Sequence, residues 1–206
     1  MIDQEIVNFI GILMLISALA VQISSYIKPM INSLLTQSIL LAINATYLGL
    51  ATSDALLILL AALIVLLRGV LLTNILSRRL PHGRRFVREY STGTGIALLS
   101  SVVVFIISFI IYRIVFLPVI GHPDGAIALS LITQGMLLIL TRRNSFAHFI
   151  GFVEEENGIV LMSLSIIALP LVIEINILLD VLALVVAGAV LIQQKIEHEP
   201  EWELMG

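Results

Sequence analysis

The residues of this chain best suited to carry chemistry are three consecutive glutamates and an asparagine inside an apolar run. Glu154, Glu155, Glu156 and Asn157 interrupt a hydrophobic stretch that begins at Ser145. A charged side chain at bilayer depth costs roughly 2.5–3.5 kcal/mol on insertion scales, and such residues usually mark ion or proton pathways. Glu154 lies roughly 15 Å along a helix that starts at Ser145, so we expect it near mid-membrane; the alternative is that these acids are interfacial.

Helix geometry separates the three acids. Successive residues point about 100° apart, so the run from Glu154 to Glu156 covers about 200° of the helix surface. The three side chains therefore cannot all face one crevice. We expect one or two to line a path, and the remainder to face a neighbouring subunit or the outer headgroup region.

Other ionisable residues lie inside apolar runs and are candidate members of the same path. Glu174 and Asp180 fall in the last apolar run, and Arg68 falls in the third. Arginine stays protonated, so we expect Arg68 to pair with Asp180 or with one of the three glutamates. Burial favours a neutral carboxyl and a nearby cation favours an ionised one, so such a pair can exchange a proton as its members move. A purely structural ion pair, or an interhelical hydrogen bond at Asp180, is the competing interpretation.

His148 precedes the glutamates on the same predicted helix. Histidine titrates near neutrality, so His148 could pass protons toward Glu154 or be a satisfied interfacial residue. The four histidines show no metal-ligand spacing, and the absence of cysteine excludes thiolate-held metals and iron–sulfur clusters in this chain. No arrangement typical of a catalytic nucleophile or a phosphate-binding loop is present. We therefore predict no catalytic site, metal or cofactor in this chain.

The composition indicates helices that cross a membrane. Hydrophobic residues make up 59% of the 206 residues and charged residues 12%, and the mean hydropathy is +1.11, whereas soluble domains are about 25% charged. A membrane helix needs about 20 apolar residues, and transmembrane strands would alternate apolar and polar residues. We predict an all-α integral membrane protein with about seven spans, approximately Val7–Ser24, Met30–Ala51, Asp54–Leu76, Gly95–Ile120, Ala126–Thr141, Ser145–Leu169 and Leu171–Gln193.

The basic residues predict the orientation of the chain. Nine of eleven lie in loops or tails on the side that the C-terminus shares, none lies in a loop on the other side, and two, Arg68 and Arg113, lie within apolar runs. By the positive-inside rule the N-terminus is outside and the C-terminus is cytoplasmic. The basic loop Ser77–Tyr90 divides a unit of residues 1–90 from a unit of residues 91–206, which ends in an acidic tail. Beside a membrane this loop indicates contact with anionic lipids and not with nucleic acid.

One sequence pattern resembles a known family of membrane subunits. Arg142-Arg-Asn144, Ile150-Gly151, and then an acid and Asn157 look like the middle helix of the smallest membrane subunit of respiratory complex I. They look equally like the C-type subunit of multi-subunit sodium/proton antiporters. The length, Glu156-Asn-Gly-Ile-Val160 and the run from Val172 to Asp180 resemble more specifically the E-type subunit of hydrogenase-4 and formate-hydrogenlyase-like complexes.

The resemblance implies a function and a set of partners. It implies a non-catalytic membrane subunit in a multi-subunit oxidoreductase complex, packed against antiporter-like and redox-arm subunits in the cytoplasmic membrane. Any nickel–iron centre, iron–sulfur cluster or quinone would belong to those partners. The buried acids would contribute to proton or sodium translocation, and the pattern favours Glu156. In an ungapped alignment the glutamate of the complex I subunit falls on Val153, which places the glutamates here one to three residues further on.

Three alternatives remain open from the sequence. The chain could be a scaffold whose charges hold helices together, or a stand-alone cation/proton antiporter subunit. It could also be a membrane enzyme, against which the missing catalytic patterns count.

Overall fold

The fold is built from helices joined by short turns. The computed structural model describes residues 4–72 and 93–166, together with Leu178, Val181, Leu182 and Val185. The helices are α1 (Gln4–Ile23), α2 (Ile27–Thr52), α3 (Ala55–Ile64, continued by a π-helical segment Val65–Leu72), α4 (Thr94–Ile120), α5 (Gly125–Thr141) and α6 (Ser145–Ile166). Within α4, residues Tyr112–Phe116 are π-helical. No strand occurs within the described ranges, which confirms there the prediction of an all-α chain.

Three of these helices are long and apolar enough to cross a membrane. They are α1, from Glu5 to Ile23, α2 and α4, with 19, 26 and 27 residues. The observed ends of α1, α2, α4 and α5 lie within three residues of the predicted spans. Of the predicted seventh span only Leu178, Val181, Leu182 and Val185 are described. Its other residues lie outside the described part of the chain, and so do Glu174, Asp180, the loop Ser77–Tyr90 and the acidic tail. The count of seven spans therefore stays a prediction.

The core lies where α1, α2, α3, α5 and α6 meet. Buried side chains from Val7 on α1, Leu41 on α2, Leu60 on α3, Leu131 on α5 and Val160 on α6 belong to one apolar cluster. The cluster therefore holds residues 4–72 and residues 93–166 together. In contrast, α4 packs at the edge, against α1 and α5, and most of its surface faces outward.

Glycines allow α5 and α6 to pack with their backbones in close approach. A Cβ built on Gly151 would lie 2.8 Å from the carbonyl oxygen of Gly135, and one on Gly158 would lie 2.7 Å from the backbone nitrogen of Ile132. Small residues at helix interfaces permit this kind of approach in membrane proteins. The glycines fix the position of α6, which carries the glutamates, against α5.

We expect Gly158→Ala to destabilise the protein by about 1–3 kcal/mol, the usual cost of overpacking a tight core. The added methyl group would meet backbone atoms of α5, which can yield only if the two helices separate. Thermal unfolding in detergent measures the effect. Gly95→Ala on α4 is the matched control, because a Cβ there has no heavy atom within 4 Å and alanine favours a helix. An unchanged melting temperature for Gly158→Ala would contradict the close approach.

Candidate functional site

The structure places two of the three adjacent glutamates inside the bundle. Glu154 is 0% and Glu156 is 1% exposed, and Asn157 beside them is fully buried. Glu155 is only half-buried and lies on the side of α6 where its backbone approaches Gly135 of α5. Glu154 and Glu156 point about 200° apart, yet both are buried because helices pack on two sides of α6. The candidate site is therefore built around two carboxyl groups on different faces of one helix.

Arg68 reaches this helix from the π-helical end of α3. It is 3% exposed, and one guanidinium nitrogen lies 3.5 Å from Oε2 of Glu156. Another donates a hydrogen bond of 2.7 Å to Oδ1 of Asn157. The sequence analysis expects Arg68 to pair with Asp180 or with one of the three glutamates, and the structure places it beside Glu156. π-helical turns occur frequently at functional sites, and this one carries the only basic residue of α3 that the structure describes.

Gln37 on α2 connects the two buried acids. The side-chain amide of Asn157 donates to Oε1 of Gln37 over 3.4 Å, and Gln37 also lies beside Glu154. Arg68, Glu156, Asn157, Gln37 and Glu154 therefore form a continuous polar cluster, which we call the buried polar cluster. Sequence reasoning had not singled out Gln37. The available signal was the position of Gln37 two helical turns before Asn44, which puts the two amide side chains on one face of α2.

Several atoms near the centre of the bundle have no hydrogen-bond partner in the described part of the chain. They are both carboxyl oxygens of Glu154, Nε2 of Gln37, and both side-chain polar atoms of Asn44. Asn44 is seven residues beyond Gln37, so it lies on the same face of α2 about 10 Å further along. Unsatisfied buried polar groups are costly, and buried water typically binds where two to four such groups converge. The unsatisfied atoms of Glu154 and Gln37 make this part of the cluster the candidate site for proton exchange.

Arg142 and His148 lie at the end of the bundle where the α1–α2 turn meets the α5–α6 turn. The Arg142 guanidinium donates to the backbone carbonyls of Gln22 and Ser24, at the turn that follows α1. Carbonyls at the end of a helix lack partners within that helix, so this contact ties the α1–α2 turn to the α5–α6 turn. A ring nitrogen of His148 lies 2.5 Å from the carbonyl oxygen of Arg142. His148 thus contacts the α5–α6 turn, about 9 Å along the helix from Glu154.

A second polar group, between α1, α4 and α5, is fully satisfied. The buried Gln134 side chain accepts from the hydroxyl of Ser101 at 2.6 Å and donates to the Ser101 carbonyl at 2.8 Å. Gln22 donates to the backbone carbonyl of Gln134 at 2.7 Å. Buried polar networks of this kind rigidify a bundle. The network around Gln134 is therefore structural. The cluster around Glu154, which keeps unsatisfied atoms, is the candidate functional one.

Asp124 marks the other end of the bundle, in the turn between α4 and α5. This turn begins at Gly121, whose φ of +79° is easily adopted by glycine. Burial raises the pKa of the Asp124 carboxyl, and this effect is opposed by a hydrogen bond with Asn8 and by the nearby His122. Asp124 precedes the first residue of α5 but its side chain makes no helix-capping hydrogen bond. Folding thus makes ionisation of Asp124 harder than in the unfolded chain.

We expect Asp124→Asn to stabilise the protein at neutral pH. Because the folded-state pKa is raised, the stability contributed by Asp124 is fully present below the pKa of the unfolded chain. It is lost as the pH rises through the folded-state pKa. The advantage of the Asp124→Asn variant should therefore shrink as the pH falls into the ordinary range of aspartate. Melting temperatures in detergent at several pH values measure this; an advantage that grows toward low pH would contradict the assignment.

Within residues 4–72 and 93–166, no group of three or more His, Asp or Glu side chains is placed to hold a metal ion. The chain was also compared with known proteins. No family model, curated protein or solved structure matches it.

Proposed function

We propose that this chain is a non-catalytic membrane subunit of a complex I-like respiratory or group 4 hydrogenase complex. In this proposal, the buried polar cluster contributes to proton or sodium translocation, and partner subunits carry out the redox chemistry. The chain crosses the cytoplasmic membrane about seven times, with the N-terminus outside and the C-terminus in the cytoplasm. Its partners are antiporter-like and redox-arm membrane subunits, which hold any nickel–iron centre, iron–sulfur cluster or quinone.

The observation that carries the proposal is a fully buried carboxyl group beside a buried ion pair. Glu154 has no hydrogen-bond partner among the described residues, while Glu156 on the same helix lies 3.5 Å from Arg68. Ionisable residues inside a membrane are expensive and usually functional. A group that binds and releases an ion needs a site where its charge is neither fully compensated nor fully excluded. Glu156, which lies 3.5 Å from Arg68, and Glu154, which forms no ion pair with a described residue, would share this role through Asn157 and Gln37.

The positions of two turns support the predicted placement in the membrane. The contact of Arg142 with the turn after α1 puts the α1–α2 and α5–α6 turns at the same end of the bundle. Both turns belong to the basic side of the sequence, which contains Lys28, Arg142 and Arg143. This agreement supports a cytoplasmic location for that end.

The principal alternative is a structural scaffold in the same complex. A buried ion pair can serve only to lock helices together, and the Arg68–Glu156 pair joins α3 to α6. The scaffold alternative predicts that changes at these residues alter assembly, while an assembled complex still moves ions. A stand-alone antiporter subunit would instead move ions in vesicles that contain no redox partner.

Glu156→Gln tests the proposal. The amide keeps an oxygen that can accept from Arg68, and Arg68 keeps its hydrogen bond to Asn157, so we expect the complex to assemble. Because the amide cannot ionise, translocation should be abolished. The measurement is ion uptake into vesicles that contain the purified complex, supplied with its electron donor and acceptor. Normal uptake by an assembled Glu156→Gln complex would refute the role of Glu156.

A further inference from the structure

The least buried of the membrane-crossing helices is α4. In its most apolar segment 11% of the residues are buried, against 50% in both α1 and α2. Large apolar side chains are exposed along its length, and they include Leu99, Val102, Ile106 and Phe109. These four, followed by Arg113, have the spacing 3, 4, 3, 4. This is the spacing of a seam that packs against a second helix in left-handed geometry.

Arg113 is an exposed cation within this apolar surface. It makes no ion pair with an acidic side chain that the structure describes, and α4 itself contains no Asp or Glu. Arg113 lies seven residues before the end of α4 at Ile120, about 10 Å along the axis. An arginine there could reach the headgroup region if its side chain pointed toward the nearer helix end.

The side chain points the other way. The guanidinium carbon lies 5.5 Å from the centre of the Phe109 ring, and Phe109 is one turn closer to the middle of α4. The ring attracts the cation, and the charge is thereby held against the apolar part of the helix. The neighbouring Tyr112 is fully buried and donates a hydrogen bond of 2.7 Å to the His122 carbonyl. This anchor fixes the rotation of the π-helical turn that presents Arg113 outward.

We infer that the seam from Leu99 to Arg113 docks a transmembrane helix of another subunit, and that this helix carries an Asp or Glu opposite Arg113. The apolar residues of the seam match a membrane helix, and the outward guanidinium, held toward the middle of α4 by Phe109, is matched by an acidic side chain on that helix. A second copy of this chain fits less well, because packing α4 against α4 in parallel would bring the two Arg113 side chains together. Val102 of the seam and the neighbouring Phe105 line a groove of about 210 Å³ between α4 and α1 that can receive a partner side chain.

Photo-crosslinking in native membranes tests this surface. A photoreactive phenylalanine derivative at Ile106 should give one discrete adduct, and mass spectrometry should place the linked peptide in a membrane-spanning helix of another protein that contains Asp or Glu. Arg113→Leu should lower the adduct yield at least tenfold, whereas Arg113→Lys should retain most of it. The same derivative at Leu50, an exposed residue of α2, is the positional control, and its products should not respond to Arg113→Leu. Exchanging the charges, with Arg113→Asp and arginine in place of the partner's acid, should restore the adduct.

Several results would overturn the inference. They are an adduct with phospholipid, a link to another segment or a second copy of this chain, no adduct at all, or a yield that is unchanged by Arg113→Leu. Arg113 is exposed, so the Leu variant should keep the melting temperature of the isolated chain, and this measurement separates lost docking from misfolding. The inference is independent of ion translocation: Glu156→Gln should leave the adduct at Ile106 unchanged whether or not the buried polar cluster carries ions.

Discussion

Glu154→Gln should lower ion translocation at least tenfold and leave assembly of the complex nearly unchanged. The substitution keeps the volume of the side chain. It costs little hydrogen bonding: in the part of the chain that the structure describes, Gln37 lies beside the carboxyl group, but neither carboxyl oxygen makes a well-formed hydrogen bond. It replaces a group that can take up and release a proton with one that cannot. Ion uptake by reconstituted vesicles, normalised to redox turnover, measures the loss.

Glu155→Gln is the matched control for this prediction. Glu155 is the adjacent residue, carries the same charge and is only half-buried. Its variant should translocate within about twofold of the unmodified complex, since the Glu155 side chain is not part of the buried polar cluster. Equal losses in both variants would show that total charge on α6 matters and not the buried position. Full activity of Glu154→Gln would remove Glu154 from the path.

Arg68→Met should cause the second large effect, which is a loss of folding stability. Arg68→Met removes the guanidinium that lies 3.5 Å from Glu156 and the hydrogen bond to Asn157. Removing one partner of a buried ion pair typically costs about 3–5 kcal/mol, because the remaining charge is buried without compensation. We expect a clear fall in the melting temperature of the detergent-solubilised chain, and less assembled complex in the membrane.

A double variant separates stability from transport. Replacing both members of a buried pair by apolar residues of similar volume is often neutral or stabilising. Arg68→Met combined with Glu156→Leu should therefore recover most of the stability that Arg68→Met loses. If the double variant were as unstable as Arg68→Met alone, the ion pair would not be the source of the loss.

The helical fold was predictable because its signal is local. Apolar runs longer than 18 residues, ended by turn residues such as those from Gly121 to Gly125, specify helices without knowledge of their neighbours. The dispersal of the three glutamates also followed from helix geometry. The sequence did not show that both Glu154 and Glu156 would be buried, because that depends on the helices packed on two sides of α6.

The site contains partners that no local pattern reveals. Gln37 joins the cluster through a contact with a residue 120 positions away, and only the packing of α2 against α6 creates it. Arg142 was predicted as a basic residue of a cytoplasmic loop; it is 4% exposed because carbonyls at the end of α1 bind its guanidinium. Counting charges gives the side of the membrane but not the partner of each charge. Asp180, the other predicted partner of Arg68, lies outside the described residues.

The most direct test of the central claim is the number of ions moved per redox turnover by the complex that carries Arg68→Met and Glu156→Leu together. Vesicles with this complex are supplied with electron donor and acceptor, and ion uptake and redox turnover are recorded in the same sample. If the buried polar cluster carries ions, redox turnover continues and ion uptake falls to the level of passive leak. Uptake at the ratio of the unmodified complex would contradict the claim and leave the cluster with a structural role.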